Sequence, residues 1–462
     1  MLTPTIAQRV LSAALATGGD FAEIFYEDSR VHTLQLLSGK VEQSLGGRDH
    51  GAGVRVLRGV DAVYVYTNDT SETGLLQAAQ QAAAALGADN ALGASINLTP
   101  AMAANRSPIR IDPFSVPAAR KVELLRQATA AAKAYSPEIG QVDATFTQRR
   151  MDVTIANSEG RFVSDERTRI RFVLSAVAEQ DGSSQMGVVS PGWQRGFDVL
   201  EALDMEAQGR EAARQAVAML HADPCPAGRM PVILNNGFGG VIFHEACGHG
   251  LEAAAVARGN SVFCGKLGQR IATPIVTAID DGTIPNGWGS GNVDDEGNPT
   301  QRNVLIQDGI LKSYLVDILG GRRMGMAPNG AGRRQSYAYA PTSRMSNTFI
   351  AAGQDDDEEM MASLPYGLFA RSLGGGSVNP LTGDFNFAVR EGYLVRNGQI
   401  DRPVKGATLI GKGDEILLHI DRVGKEMRTG QGMCGAASGA IPADVGQPRI
   451  RVTEMTVGGQ EA

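Results

Sequence analysis

The chain has 462 residues, more than a single hydrophobic core usually organises, so two domains are expected. It is 43% hydrophobic and 20% charged, with 57 glycines and only 5% aromatic residues, which is typical of a globular protein rich in turns and strand connections. A net charge of −7 and the lack of a long basic run argue against nucleic-acid binding. No segment reaches the ~18 consecutive apolar residues of a membrane helix, so no membrane association is expected.

The N-terminal segment MLTPTIAQRVLSAALATGGDF predicts an amphipathic helix rather than a signal peptide. Thr3 or Thr5 would cap this helix, and Gly18 with Gly19 would end it. The four cysteines of the chain are scattered and do not form a disulfide framework. A reducing, cytoplasmic location is therefore expected.

The first half of the chain shows one pattern twice. A helix over about 4–17, alternating strands that include AEIFYED and HTLQLLSG, and a helix over about 71–87 are followed by a proline-containing loop. A second helix over about 117–134, further strands that include QVDATFTQRR and MDVTIANSEG, and a helix over about 196–221 repeat the order. The pattern predicts an α+β domain over residues 1–224, with an internal duplication and helices packed on a largely antiparallel sheet.

Residues 225–462 are predicted to form a β-rich C-terminal domain, with the linker near 223–228. RMPVILNN reads as a strand, NGFGG as a turn and 240–258 as a helix, and the later strands include ATLIGKGDEILLHIDRVG. The acidic run 355–359 suits a helix N-terminus better than a metal site. The run 374–376 is interpreted as a glycine turn beside a strand, because it lacks the Lys and Ser/Thr of a phosphate-binding loop.

The segment 244–249 reads HEACGH and holds two of the six histidines. A zinc hydrolase uses these residue types: two neutral imidazoles hold the metal, and a carboxylate beside one of them handles the proton of the attacking water. Histidines four residues apart lie about 40° apart around a helix, but His244 and His249, five apart, would lie about 140° apart. Both reach one metal only if the helix contains a π turn, whose cost Gly248 and Gly250 would lower.

A catalytic zinc site also needs a third protein ligand and an open position. Glu252 follows His249 by three residues, and the pair 280–281 offers two aspartates. Cys434 is chemically the strongest candidate, because a thiolate binds zinc better than an extra carboxylate and the residue lies among small residues and glycines. Cys247 falls between the two histidines and is expected to point away from the metal.

Further segments follow the histidine motif in a distinctive order. In chain order they are HEACGHGLEA, RGNSVFCGKLGQRIA, DDEGNPTQRNVLIQDGILKSYLVD, NGAGRRQSYAYAPTSRMSNT, VKGATLIG and GMCG…VGQP. Together they resemble the TldD/PmbA family, and more narrowly its TldD-type metallopeptidase subunit, over about residues 231–460. GAGVRVLRG in the first half is a weaker match. One difference follows Cys434 and Gly435, where the family usually continues with a lysine and this chain has AASG at 436–439.

The resemblance implies roles for four residues: His244, His249 and Cys434 as zinc ligands, and Glu245 as the catalytic general base. It implies an N-terminal α+β domain followed by a β-rich domain that carries the zinc-binding helix. It also implies a homodimer, or a heterodimer with a PmbA-type chain, enclosing a chamber in which unfolded or extended peptides are cleaved with low sequence specificity. In the family such cleavage is linked to the maturation of peptide antibiotics and to antitoxin turnover.

Two other functions are open as alternatives. A non-catalytic scaffold or regulatory subunit would be free to lose any of the four motif residues, yet all four are present. A regulator of DNA topology is disfavoured by the negative net charge. Finally, Arg333, Arg334 and Arg344 could clamp a substrate carboxylate, but structural ion pairs are the favoured interpretation.

Overall fold

The computed structural model describes residues 2–87 and 96–459. Its first part combines five helices with eight strands, and the order helix, three antiparallel strands, helix occurs twice, as the sequence pattern predicted. In chain order the elements are α1 (Pro4–Ala14), β1 (Phe21–Leu37), β2 (Lys40–Arg58), β3 (Asp61–Thr67), α2 (Glu72–Leu86), β4 (Thr99–Met102), α3 (Ala118–Lys133), β5 (Ile139–Asn157), β6 (Arg161–Gln180), β7 (Ser183–Val189), β8 (Gly192–Trp193), α4 (Asp198–Glu201) and α5 (Met205–Leu220).

These strands form one eight-stranded sheet. Its path is β3-β2-β1-β5-β6-β4, with β7 and β8 also paired to β6. The two long hairpins β1–β2 and β5–β6 meet where β1 pairs antiparallel with β5, with Phe25 opposite Ile155. This sheet is the largely antiparallel one that the alternating pattern predicted.

Helices pack on this sheet as two groups, each with its own apolar core. Leu11 of α1 and Leu75 of α2 pack with Ile24 and Val54, while α3 and α5 pack on Phe146 and its neighbours. The helix expected over 196–221 is two helices, because Asp204 begins α5 by accepting a hydrogen bond from the backbone N–H of Ala207. At the N-terminus, Thr3 is the residue that caps α1.

The second part is richer in strands, as predicted. Its elements are β9 (Asp223–Pro224), β10 (Gly228–Leu234), α6 (Val241–Phe243), α7 (Ala253–Val256), β11 (Ala278–Asp281), β12 (Arg302–Gln307), β13 (Ile310–Leu311), α8 (Ile318–Met324), β14 (Gly332–Arg333), β15 (Thr342–Ser343), β16 (Asn347–Ile350), α9 (Asp357–Ala362), β17 (Tyr366–Val378), β18 (Asp384–Arg396), β19 (Gln399–Lys405), β20 (Thr408–Lys412), α10 (Gly413–Ile416), β21 (Ile420–Val423), β22 (Arg428–Ala436), β23 (Gly439–Gln447) and β24 (Ile450–Gly458).

Two larger sheets organise these strands. One follows β17-β10-β24-β20-β18-β19-β9 and closes on itself, because β17 also pairs with β18. The other has the order β13-β12-β11-β16-β23-β22, so β22 is an edge strand. One apolar core underlies both sheets and includes Phe243 beside the histidine motif and Phe387 of β18. The mixed helix and sheet architecture agrees with the predicted α+β class.

Several local predictions differ from the structure. The strands expected at AEIFYED and HTLQLLSG are one continuous strand, β1, and those at QVDATFTQRR and MDVTIANSEG are likewise one strand, β5. The expected strand ATLIGKGDEILLHIDRVG contains α10 and a 3₁₀ turn over Leu417–His419. The run 374–376 lies inside β17, at a shift of register, rather than in a turn. Glycine is required at 376, because a Cβ there would come within 2.1 Å of the Phe387 ring.

Two further expectations concern the acidic run 355–359 and the linker between the two parts of the chain. Asp356 caps α9 by accepting hydrogen bonds from the backbone N–H groups of Glu358 and Glu359, so the acidic run begins a helix as predicted. The linker region begins as the short strand β9, in which Asp223 pairs with Val404 of β19. The domain boundary at 224/225 stays a prediction.

Within the described residues, no helix has the length and apolar character needed to cross a membrane.

Candidate metal centre

The histidine motif lies on an irregular helical segment. A 3₁₀ turn over Gly237–Gly240 leads into α6, a π turn covers His244–Gly248, and a second 3₁₀ turn covers His249–Leu251. The backbone N–H of His249 bonds to the carbonyl of His244, the five-residue step of a π turn. The π turn predicted from the histidine spacing is confirmed, although the expected helix over 240–258 is divided into short turns.

Glycines let this segment pack closely against its surroundings. A Cβ at Gly240 would lie 2.4 Å from the backbone of Gly446 in β23, so the start of the helix can approach that strand only with glycine there. Gly248 has an ordinary helical φ of −53°, and a Cβ there would come within 2.2 Å of Met345 Sδ. The expectation that Gly248 eases the backbone distortion is therefore wrong, because this glycine provides space for Met345.

The substitution Gly248→Ala is expected to destabilise the protein by about 1–3 kcal/mol, because Met345 is fully buried and has little room to move. Thermal unfolding followed by circular dichroism measures the effect. Gly375→Ala is the matched control, since a Cβ there meets nothing within 4 Å. Adding Met345→Ala should reduce the penalty in a double-mutant cycle, and equal stability of the two single glycine variants would contradict this packing role.

The third member of the site comes from a different part of the chain. Cys434 lies on β22, where it pairs with Ile441 of β23 in the hairpin at the sheet edge. Its side chain is buried with Ile441 and Ala443. Because the helix containing the histidines packs against β23 at Gly446, this hairpin brings the thiol to the histidines.

The two imidazoles and the thiol converge on one point. Cys434 Sγ lies 3.2 Å from His244 Nε2 and 3.2 Å from His249 Nε2. Within the described residues, His244, His249 and Cys434 form the group of metal-ligating side chains whose ligand atoms all lie within 4.8 Å of one another. Two imidazole nitrogens and one thiolate are a donor set that zinc prefers, and in a tetrahedral zinc site such atoms lie about 3.5 Å apart. The residues present therefore fit a zinc ion.

Two glutamates flank this cluster in different ways. Glu245 Oε2 lies 3.7 Å from His249 Nε2, beside the ligand atoms. Glu252 Oε1 lies 3.1 Å from His249 Nδ1, on the other nitrogen of the ring. A carboxylate in that position orients a metal-binding histidine, so the structure places Glu252 behind His249 rather than among the ligand atoms.

The protonation of the cluster follows from these contacts. Burial would raise the pKa of the Cys434 thiol, but His244 and His249 outweigh it and lower that pKa to about 3. Burial would lower the pKa of His249, but Glu252 and Cys434 raise it well above the usual value. The sulfur is therefore a thiolate at neutral pH, the form that binds a metal.

The backbone around Cys434 is held by a buried arginine. Arg344 Nη2 donates to the carbonyl of Cys434 at 2.6 Å, and Nη1 donates to Ser438 Oγ at 2.9 Å and to the Gly439 carbonyl at 3.0 Å. The altered loop at 436–439 is thus tied to the same arginine as the thiol. The sequence contained no local signal for this anchoring role, because Arg344 is 90 residues from Cys434 along the chain.

The remaining sequence candidates are engaged elsewhere. Asp280 accepts hydrogen bonds from the backbone and hydroxyl of Ser346 and from Thr348, so it serves as a structural acceptor. Cys247 points away from the histidines, as expected, and its Sγ contacts the Gly413 carbonyl at 3.2 Å.

The two adjacent arginines 333 and 334 differ in their partners. Arg334 forms a buried ion pair with Glu23 at 2.5 Å, in line with the favoured structural interpretation. Arg333 donates instead to the backbone carbonyls of Met345 and Pro442. The expected ion pair is therefore absent for Arg333 within the described residues.

The fold and site describe a mixed helix and sheet protein with a candidate His–His–Cys metal centre beside a glutamate. Sequence models of the PmbA/TldA metallopeptidase family match it along most of its length: domain 1 at residues 22–86, the central domain at 111–220 and the C-terminal domain at 227–459. The chain belongs to the TldD/PmbA metallopeptidase family, which confirms the resemblance seen in the sequence.

Curated relatives carry metalloprotease names. The chain is 36% identical to the metalloprotease TldD homolog of Haemophilus influenzae, over 95% of this chain and 93% of that protein. It is 33% identical to a metalloprotease of Methanothermobacter thermautotrophicus, over 95% of this chain and 96% of that protein.

Solved structures share the fold at lower identity. A putative modulator of DNA gyrase from Thermotoga maritima has a TM-score of 0.78 at 20% identity, covering 98% of this chain and 99% of that one. TldE from Thermococcus kodakarensis has a TM-score of 0.76 at 18% identity, covering 98% and 100%. At these identities the likeness supports the fold.

Proposed function

We propose that this protein is a zinc-dependent peptidase that cleaves unfolded or extended peptides with low sequence specificity. The observation that supports it is the convergence of His244 Nε2, His249 Nε2 and Cys434 Sγ, with the Glu245 carboxylate 3.7 Å from one of these nitrogens. Three protein ligands leave one position of a tetrahedral zinc site for water or substrate, which is the arrangement of a catalytic rather than a structural site.

Each residue of the cluster has a distinct role in the proposed reaction. The chemistry that zinc supplies when bound is a lowered pKa of a water molecule, to about 7, and polarisation of the scissile carbonyl. Glu245 accepts the proton of the attacking water and passes it to the leaving amine. Glu252 keeps Nδ1 of His249 occupied, so that Nε2 stays available to the metal. Arg344 holds the strand that carries the thiolate.

The substrate and partner follow as further parts of the proposal. An extended peptide that pairs through its backbone as an added strand is recognised with little regard for its side chains, which accounts for low specificity. A second copy or a PmbA-type chain would complete a dimer whose chamber excludes folded proteins. All four cysteines are free, which is consistent with a cytoplasmic location.

Metal content tests the assignment of the third ligand. The protein is expected to hold about one zinc per chain, and Cys434→Ala is expected to lose most of it, since the thiolate is one of three ligands. Elemental analysis of the purified protein measures both values, and cleavage of an unfolded peptide with and without a chelator measures the activity.

Cys264→Ala is the control for this experiment. Cys264 is a partly exposed thiol whose Sγ contacts the Val256 carbonyl at 3.5 Å, so its loss should leave the zinc in place. A native protein without zinc or activity would instead support the non-catalytic scaffold.

A further inference from the structure

A cavity of about 360 Å³ lies between the N-terminal sheet and the hairpin β22–β23. Its wall contains one carboxylate, that of Asp295, and apolar surface from residues such as Trp288 and Met433. The wall also contains six arginines, which are Arg149, Arg167, Arg169, Arg171, Arg333 and Arg334. So high a density of one charge in a confined space is costly unless anions compensate it.

Three of the six arginines are neutralised within the protein. Their ion pairs are Arg149–Glu27 at 3.1 Å, Arg167–Asp165 at 2.8 Å, Arg167–Asp295 at 2.5 Å and Arg334–Glu23 at 2.5 Å. Asp295, the carboxylate of the cavity wall, is thus already committed to Arg167.

The other three arginines have only neutral partners. Their hydrogen bonds run from Arg169 to the carbonyls of Trp288 and Ser290, from Arg171 to the carbonyl of Gln431, and from Arg333 to the carbonyls of Met345 and Pro442. No carboxylate of the described residues forms an ion pair with Arg169, Arg171 or Arg333. In addition, the buried Nε of Arg171 has no hydrogen-bond partner among the described residues.

Burial is the main influence on the pKa of two of these arginines. Burial, with help from Arg167 and Arg333, lowers the pKa of Arg169 to about 9. Burial also lowers the pKa of Arg333 to about 10, although Asp295 acts against it. Both groups remain charged at neutral pH, and among the described residues neither has a carboxylate at ion-pair distance.

We infer that this cavity is a binding site for a carboxylate carried on an apolar group, such as the free C-terminus of a peptide that ends in a hydrophobic residue. The planar guanidinium groups of Arg169, Arg171 and Arg333 offer paired donors that match a carboxylate. The apolar part of the wall, including Trp288 and Met433, would cover the attached side chain. A hydrated inorganic anion would leave that apolar surface without a partner.

The cavity adjoins the hairpin that carries the thiol of the metal cluster. Met433 and Pro442 both line the cavity and pair across the hairpin, one residue from Cys434 and Ile441. Occupation of the cavity does not require cleavage, so binding can be measured whether or not the protein is a peptidase.

Trp288 provides a direct probe of the cavity, because the chain has two tryptophans and Trp193→Phe leaves Trp288 alone. In that background, with Glu245→Gln added to prevent cleavage, a short peptide ending in leucine is titrated as the free acid and as the C-terminal amide. The free acid is expected to bind at least about tenfold more tightly, the ratio that corresponds to 1.4 kcal/mol. Dissociation constants come from the concentration dependence of Trp288 emission.

Arg171→Met should remove the preference for the free acid, while Arg171→Lys, which keeps the charge, should retain part of it. Within the part of the chain that the structure describes, Arg171 makes one hydrogen bond, at 3.3 Å, and its guanidinium lies 5.5 Å from the centre of the Trp288 ring. Arg210→Met is the matched control, since that arginine lies on the surface of α5 and, among the described residues, pairs with Glu206 alone. Circular dichroism and thermal unfolding verify that each variant is folded.

Equal affinity for acid and amide, or an unchanged preference in Arg171→Met, would overturn the inference. Inorganic phosphate is titrated in a separate arm. If phosphate displaces the peptide at concentrations below the dissociation constant of the free-acid peptide, the cavity is an inorganic anion site. That result would also overturn the inference.

Discussion

Replacing Glu245 by glutamine is expected to lower the rate of peptide cleavage by about 10²–10⁴-fold while the zinc content stays at that of the native protein. Glutamine has nearly the size of glutamate but cannot accept the proton of the attacking water. The two histidines and the thiolate are unchanged, and the carboxylate lies beside His249 Nε2 at 3.7 Å rather than among the closest ligand atoms. The values of kcat/KM for an unfolded peptide and elemental analysis give the two measurements.

Glu358→Gln is the control for this variant, because Glu358 lies in the first turn of α9 and plays no part in the metal centre. It should cleave at the native rate. Undiminished cleavage by Glu245→Gln would remove Glu245 from the role of general base. A loss of zinc together with activity would instead show that this carboxylate supports the metal.

A second large effect, on the stability of the folded protein, is expected when Glu23 is replaced. This fully buried carboxylate on β1 pairs with Arg55 at 2.7 Å and with Arg334 at 2.5 Å, and both arginine side chains are also buried. Glu23→Ala is expected to destabilise the protein by about 3–5 kcal/mol, because it leaves the buried charge of Arg334 without its ion-pair partner, whereas Arg55 keeps Glu296 at 2.7 Å. A shift of roughly 3–5 °C in the melting temperature, measured by calorimetry, would correspond to that loss, because the entropy of unfolding scales with the 462 residues of the chain.

Glu72→Ala is the comparison for Glu23→Ala. Glu72 pairs with Arg9, and both side chains are exposed, so its removal should cost no more than about 1 kcal/mol. Because Arg334 lies more than 300 positions after Glu23, the larger effect would report on contact between the first and second halves of the chain. Similar melting temperatures for the two variants would contradict a stabilising role of the buried pair.

Short-range patterns in the sequence predicted the fold class and the π turn in the helix that carries the histidines. Two histidines five residues apart can share a metal only through a π turn, and the chain forms that turn at His244–Gly248. The prediction that Cys434 joins this cluster came from the chemistry of its thiol and from the family resemblance. Its position depends on the pairing of β22 with β23 and on the packing of Gly240 against Gly446. Spacing in the sequence does not reveal contacts of this kind.

The wrong local predictions have tertiary causes. The sequence pattern divided β1 into two strands, but β1 lies between β2 and β5 and is paired along its length on both sides. Similarly, α10 interrupts a predicted strand where Gly413 fits against Ala246, since a Cβ there would lie 1.8 Å from the Ala246 carbonyl. Hydrophobic periodicity and turn residues describe a segment in isolation. Whether that segment becomes one strand, two strands or a helix depends on what packs against it.

The strand that carries Cys434 lies at the edge of its sheet, a position where unpaired backbone groups can recruit a strand from another molecule. Asp444 of β23 donates its backbone N–H to the Ser346 carbonyl beside β16, so its ladder partner Gln431 directs its own backbone groups to the open side of β22. Arg171 donates to that Gln431 carbonyl at 3.3 Å and so occupies one acceptor of the open edge. Loss of this arginine would expose an acceptor on the strand that brings the thiol to the histidines, at a position where intermolecular pairing could begin.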